Sequence, residues 1–339
     1  MKKIIFALFL FLSFTELVFT QNICSLDPEL QHFMKQKSGE LVSVNIILRS
    51  QIDVDKLESK RQVYRNKEAK KEAVLKEFKK FSEANQSEVL SFLNAETRSN
   101  RVSDIKCHWI TNMINCKVES SFIYELAQHP DIAAISYNKK EYMLFNEKPI
   151  KAEPVRGKVE NITKINADDV WSYGYTGKGV VVAVLDTGTN IDHVDLKDHL
   201  WDGGSEYPNH GYNIVEENHD VTDFNGHGTH CAGTICGDGT SGTQTGMAPD
   251  AILMTVKIFD SEGNGNVNDI ISGVEFAVEN GADVLSLSLG APFPDMYTNT
   301  LYRRTFENLL ELDILAVVAA GNDRDKLDEF PIPKNINSP

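Results

Sequence analysis

The clearest pattern lies in the second half of the chain. Apolar runs without alternation occupy 180–185, 252–258, 284–289 and 314–319, and stretches of helical spacing separate them at about 228–236, 268–279 and 300–312. Strands that are apolar on both faces belong to a parallel sheet covered on both sides by helices. The expected fold for 160–339 is therefore α/β, a doubly wound, mostly parallel sheet. In such sheets the polar residues just beyond the carboxyl ends of the strands are the ones placed for chemistry.

The first half reads differently. A strand is expected at 41–48, and Val74, Phe78, Phe81, Val89 and Phe92 recur at helical spacing through a Lys/Glu-rich stretch from 66 to 95. Trp109, Ile110, Met113 and Ile114 flank Thr111-Asn112 as a hairpin, a helix follows at 121–128 before Pro130, and a strand at 132–137. This order predicts a small α+β sandwich over 21–145, with one sheet and two covering helices. Residues 146–159, rich in Lys, Glu and Pro, read as an exposed linker open to proteolytic nicking. At the start, Lys2 and Lys3 precede the apolar run 4–12, and Glu16 interrupts its continuation. That run is too short to cross a bilayer, so 1–20 is expected to be a cleaved signal peptide, with the mature chain exported and without a membrane span.

Composition narrows the classes. With 41% apolar residues, disorder and collagen-like repeats are excluded. The 34 basic and 49 acidic side chains give a net charge of -15, unevenly spread: residues 1–149 hold 22 basic and 19 acidic groups, residues 150–339 hold 12 and 30. The second part should repel a phosphate backbone, so no nucleic-acid partner is expected, and the two parts should attract each other. Of the five cysteines, Cys107 and Cys116 flank the hairpin where a disulfide could close it. Cys231 and Cys236, five apart on one expected helix, have poor disulfide geometry and read as small buried apolar side chains.

Three blocks carry chemistry. Asp186-Thr187-Gly188 ends the first strand, His227 stands in Asn225-Gly226-His227-Gly228-Thr229-His230-Cys231-Ala232-Gly233-Thr234, and Asn322 follows Ala319-Ala320-Gly321. A carboxylate, an imidazole and an amide donor at strand ends are what acyl transfer from a peptide requires. Together with Ser286-Leu287-Ser288-Leu289-Gly290, these blocks resemble the subtilisin-like serine proteases, the subtilases. The first part resembles the family's inhibitory propeptide through Trp109-Ile110, Leu126-Ala127, Pro130-Asp131-Ile132-Ala133 and Ile135.

The resemblance implies roles. Asp186 would orient the imidazole, His227 would act as general base and acid, and Asn322 would donate to the oxyanion. Ser288, Leu289 and Gly290 would offer a backbone edge to an extended peptide or protein substrate. It also implies that the chain's own propeptide acts as an intramolecular inhibitor, that the protein is secreted, periplasmic or extracellular, and that the chemistry needs no cofactor. Structural calcium is a family feature for which the acidic loops 192–202 and 216–223 are candidates, although with no fixed ligand spacing visible the reading as solvated acidic loops is favoured. His230 reads as a packed or hydrogen-bonded structural residue.

The family's nucleophile, a serine in a Gly-Thr-Ser-Met-Ala-like block, is absent from the seventeen residues after Asn322. Gly239-Thr240-Ser241 matches three letters but continues into a polar loop, and Ser338 has no helix behind it. The expectation is a serine endopeptidase zymogen, C-terminally truncated and itself inactive; the alternative is a non-catalytic subtilase-like binding protein. Gly174, Gly177 and Gly179 precede the strand, which excludes a dinucleotide loop. A metal set of His227, His230 and Cys231 would need a further ligand, and Gly228 stands where a helical zinc protease has its glutamate. Asn161-Ile162-Thr163 is a glycosylation sequon for a glycosylating host.

Overall fold

The computed structural model of the chain describes residues 24–142, 144, 156–290 and 296–321. The expected signal over 1–20, most of the linker, Asn322 and Ser338 lie outside the described residues.

The first part runs β1 (Ser25–Leu26), α1 (Pro28–Gln36), β2 (Leu41–Leu48), α2 (Lys67–Ala95), β3 (Val102–His108), β4 (Met113–Glu119), α3 (Ile123–Leu126), β5 (Ile132–Tyr137) and β6 (Glu141–Tyr142). Its sheet has the order β1-β5-β2-β4-β3, with β2 antiparallel to both β4 and β5. Val42, Val44, Ile46 and Leu48 share one core with Leu30, Met34, Val89, Leu93, Ile123 and Leu126, so the helices cover that face. The α2 helix starts where the Asn66 side chain accepts from Ala69 N, 3.0 Å. Its two ends are buried against different partners: Val89 and Leu93 in the first part's core, Val74 and Phe78 in a cluster shared with the second part.

Two sequence expectations need correction here. Trp109 and Ile110 are not strand residues, because the Ile110 amide donates to Glu275 Oε1 (2.9 Å) across the interface instead of to a ladder partner. The helix expected over 121–128 shortens to the four residues of α3. All five cysteines are free. Cys107 stands opposite Ile114, so Cys116 is a diagonal neighbour two positions along; Cys107 is exposed and Cys116 buried. That offset suits a disulfide poorly.

The second part runs β7 (Gly157–Lys158), α4 (Glu160–Lys164), α5 (Ala167–Ser172), β8 (Val181–Asp186), β9 (Gly211–Asn213), α6 (His227–Cys236), β10 (Thr243–Gln244), β11 (Ile252–Lys257), β12 (Asn264–Gly265), α7 (Val267–Glu279), β13 (Val284–Leu287), α8 (Met296–Glu311) and β14 (Leu315–Val318). The main sheet, β14-β13-β8-β11-β9, is parallel throughout. On one face Val182, Val184 and Leu253 pack with Ala232 and Cys236 of α6. On the other, Ala183, Leu185, Met254 and Val256 pack with Ile270, Ile271 and Val274 of α7 and Leu301 and Leu309 of α8. This is the doubly wound α/β sheet that the unbroken apolar runs predict.

The free face of the first part's sheet lies on α7 and α8. Ile47, Ile110, Met113 and Ala134 join the cluster of the second part. Polar contacts surround this patch: Trp109 Nε1 donates to Glu279 Oε1 (2.8 Å), and Asn268 N donates to Asn138 Oδ1 (3.3 Å). Lys60–Glu311 (2.9 Å), Lys67–Asp283 (3.4 Å), Lys70–Asp313 (2.9 Å) and Lys79–Glu279 (2.7 Å) continue it along α2 and the turn before it. The charge asymmetry between the parts is thus realised as direct pairs.

At the centre of the interface His108 is fully buried, with Nδ1 2.9 Å from Glu275 Oε2 and Nε2 2.8 Å from Asn268 Oδ1. Burial disfavours the imidazolium, but the Glu275 carboxylate and the two hydrogen bonds outweigh it and raise the pKa; Lys106 opposes weakly. A raised histidine pKa contributes stability that is complete below about pH 6.5 and is lost as pH rises through the folded value. Docking of the first part should therefore weaken on the alkaline side, and His108→Gln should flatten the dependence. Hydrogen exchange of α7 amides across that pH range, corrected for intrinsic rates, reads this directly; equal slopes in both proteins would refute it.

Candidate active site

Asp186 is the last residue of β8, level with Lys257 of β11, at the carboxyl end of the sheet. His227 is the first residue of α6, the helix that packs against that strand. Their meeting depends on two glycines. A Cβ on Gly228 would lie 2.1 Å from the Gly188 carbonyl oxygen, and Gly188 itself has φ of +112° with Val221 O where a side chain would go. Without side chains at either position the helix start can touch the strand end.

The result is a hydrogen bond from His227 Nδ1 to Asp186 Oδ1 at 2.7 Å. Asp186 is 1% exposed, and its Oδ1 also accepts from Thr187 N, 2.7 Å. His227 keeps about a quarter of its side chain in solvent, at 23%. The bond to Asp186, and next the Cys231 sulfur, lift the imidazole pKa well above its ordinary value. This geometry makes the ring a fixed tautomer with the free nitrogen directed away from the carboxylate, a stronger base than a solvated histidine.

One organising residue went unread in the sequence. Asp223 accepts at Oδ1 from Gly226 N (2.8 Å) and Thr187 Oγ1 (2.8 Å), and at Oδ2 from Thr229 N (2.8 Å) and Thr229 Oγ1 (2.6 Å). Thr187 in turn accepts from Gly228 N, 3.0 Å. Asp223 therefore caps α6 and ties its start to the residue after Asp186. Burial works against its charge, but these hydrogen bonds hold its carboxyl below the usual range. The signal available in the sequence was an aspartate four residues before the histidine, within capping reach of the helix start.

The remaining expected residues fall as follows. Ser288, Leu289 and Gly290 follow β13 at the same end of the sheet. Leu289 forms an antiparallel bridge with Leu144, and Asn264–Gly265 pair antiparallel with Glu141–Tyr142. Glu141, Tyr142 and Leu144 thus pair with two edges of the second part, with Leu144 only 6% exposed. Asn322 lies outside the described residues. Ser241 donates its hydroxyl to Asp195 Oδ2 (2.7 Å), which fits the reading of its loop as structural. His230 is exposed and hydrogen-bonds to Cys231. The carboxylates of Asp195, Asp220 and Asp223 in the acidic loops accept backbone amides or hydroxyls. Cys236 is buried as expected, but Cys231 is not an apolar filler: its Sγ lies 3.8 Å from His227 Nδ1.

An aspartate and a histidine joined at the carboxyl end of a parallel sheet, beside an edge holding an extended peptide, agree with a comparison with known proteins. Residues 177–339 match the Subtilase family. Among curated relatives, this chain is 36% identical over 184 residues to the Major intracellular serine protease of Bacillus subtilis (strain 168), covering 52% of this chain and 54% of that protein. Subtilisin E of the same organism is 32% identical over 212 residues, covering 62% and 50%. The Minor extracellular protease Vpr, again from that strain, is 33% identical over 221 residues, covering 61% and 26%. The chain spans about half the length of the first and second of these relatives and about a quarter of the third.

Two substitutions check the site's construction. Gly228→Ala should cost about 2 kcal/mol or more, because the atom it meets is backbone, measured by denaturant unfolding; a neutral result would mean that the approach of α6 to β8 is not constrained. Asp186→Asn should lower the His227 pKa toward about 6.5, followed by imidazole NMR titration; an unmoved pKa would remove Asp186 as its cause.

Proposed function

We propose that this chain is the leading portion of a secreted serine endopeptidase precursor of the subtilase family, in which the first part is an inhibitory propeptide. The observation that carries this reading is the Asp186–His227 pair beside the Leu144–Leu289 bridge. A general base lies next to an edge that already holds an extended segment of chain.

In this reading Asp186 fixes the tautomer of His227 and stabilises the imidazolium formed during turnover. His227 takes the proton from a serine hydroxyl as it attacks the scissile carbonyl, and returns it to the leaving amine. The serine is proposed to come from a part of the protein outside these 339 residues, and the Asn322 amide to donate to the oxyanion. Substrate adds as a strand along Ser288, Leu289 and Gly290, where Leu144 sits before processing. Peptide hydrolysis then uses side chains alone. No described helix is long and apolar enough to cross a membrane. Export rests on the leader-like residues 1–20, because the relatives include proteins named intracellular as well as extracellular.

The full-length gene product should be labelled covalently by a fluorophosphonate, and Asp186→Asn should lower kcat by about 10⁴. Peptide binding without labelling would instead establish the non-catalytic binding protein. Release of the first part should accompany activation, so mass spectrometry that finds it still attached in fully active enzyme would remove the inhibitor role.

A further inference from the structure

Lys257 has no part in the mechanism above, yet it is a lysine only 4% exposed, the last residue of β11 at the carboxyl end of the sheet. It stands level with Asp186 of β8 on one side and with Asn213 of β9 on the other. Residues in register on parallel strands share a face, and the alternation from Val184 and Leu253 makes it the face that α6 covers. The end of the sheet therefore presents a row of three buried polar side chains, Asp186, Lys257 and Asn213.

Each member of the row holds a successive point of the chain that leads to the imidazole. Asn213 Nδ2 donates to Asp220 O (3.0 Å), Lys257 Nζ donates to Thr222 O (2.8 Å), and Asp186 Oδ1 accepts from His227 Nδ1 (2.7 Å). The described residues 214–226, between β9 and α6, form no helix or strand, so contacts of this kind set their path. A second contact engages the same ammonium: Lys257 Nζ lies 5.1 Å from the centre of the Phe224 ring, within cation–π range.

Lysine is among the residues least often buried, because its ammonium gives up water that only a well-placed acceptor replaces. Sheet packing does not require it here, since an apolar side chain would fill the end of β11 as Met254 and Val256 fill its middle. What an apolar side chain cannot do is hold the Thr222 carbonyl. Thr222 and Phe224 flank Asp223, the residue that caps α6 by accepting from Gly226 N and Thr229 N. The ammonium thus grips the chain on both sides of the cap.

We propose that Lys257 is a positioning residue for His227: by holding Thr222 and Phe224 it sets Asp223 at the start of α6, and so fixes the ring against Asp186. This deepens the protease reading and rests on it for its consequence in catalysis; the effect on the ring does not depend on that reading. No bond or proton changes at Lys257 itself.

The proton held between His227 Nδ1 and Asp186 gives a readout without any need for activity, as a downfield resonance in proton NMR of the 339-residue chain. Lys257→Met keeps most of the side chain's length and removes donor and charge. In it the resonance should shift or broaden beyond detection, with far-UV circular dichroism unchanged. Lys257→Arg, which keeps charge and donors, should restore it. Should Lys257→Met not fold, Lys257→Gln, which removes the charge and shortens the reach, carries the same comparison. In the full-length product Lys257→Met should lower kcat by about tenfold to a hundredfold with KM changed by less than about twofold, because a small misplacement of a reacting group costs rate. An unmoved resonance, a loss confined to KM, or no recovery in Lys257→Arg would each overturn the role. Unfolding of both the Met and the Gln variants would also overturn it, by making Lys257 a stability residue alone. If the resonance follows Lys257 while the unaltered full-length product takes no fluorophosphonate, the positioning of His227 stands and the protease reading falls.

Discussion

The hydrogen bond between Asp186 and His227 is the constraint around which the second part is arranged. It joins a strand end to a helix start forty-one residues away, and it survives only because α6 can approach β8 at backbone distance. Every feature that permits this approach is local: glycine at 188 and 228, Thr187 bridging the two segments, and Asp223 holding the turn that leads into the helix. The sheet supplies the rigid base, with Val182 to Leu185 packed from both sides. A pair of groups on rigid elements loses little entropy in keeping its geometry, which is what a fixed tautomer requires.

The contact between the two parts follows a different logic. Its apolar centre, with Phe78, Ile110 and Met113 beside α7 and α8, supplies the burial that favours docking. Around that centre lie lysine–carboxylate pairs whose lysines are each one-third to one-half exposed, worth little singly and weakened by salt. Such a rim guides docking and fixes its direction more than it adds affinity. The 29 residues of α2 serve both sides, since its first half lies on the second part and its second half completes the core of the first. Folding of the first part and its docking are therefore coupled through one helix.

Much of this was legible in the sequence where pattern and burial coincide. The unbroken apolar runs gave four of the five strands of the parallel sheet to within a residue or two, because a strand covered on both faces has no polar alternation to confuse the reading. Asp186 and His227 could be found because glycines mark the close approach between them. The missed elements are those whose structure is set by distant partners. Trp109 and Ile110 look like strand residues until Glu275 and Glu279 receive their N–H groups. Cys231 looks like core until the neighbour across the helix turn proves to be the imidazole. Asp223 looks like one more acid in an acidic loop, and only the fold shows that its oxygens face the start of α6.

Residues 141, 142 and 144 join these two logics. Glu141 and Tyr142 pair antiparallel with β12, and Leu144 forms an antiparallel bridge with Leu289, so two edges of the second part each contribute backbone pairing. Backbone pairing accepts many sequences, whereas a side chain as enclosed as Leu144, at 6% exposure, selects for shape. Ser288, one residue before that seat, also contacts Cys231, which in turn touches His227. The edge that pairs with Leu144 and the imidazole at the sheet's end thereby share one neighbour, the Cys231 sulfur. In a site this small, the sequence position that looked least informative lies between the two that carry the chemistry.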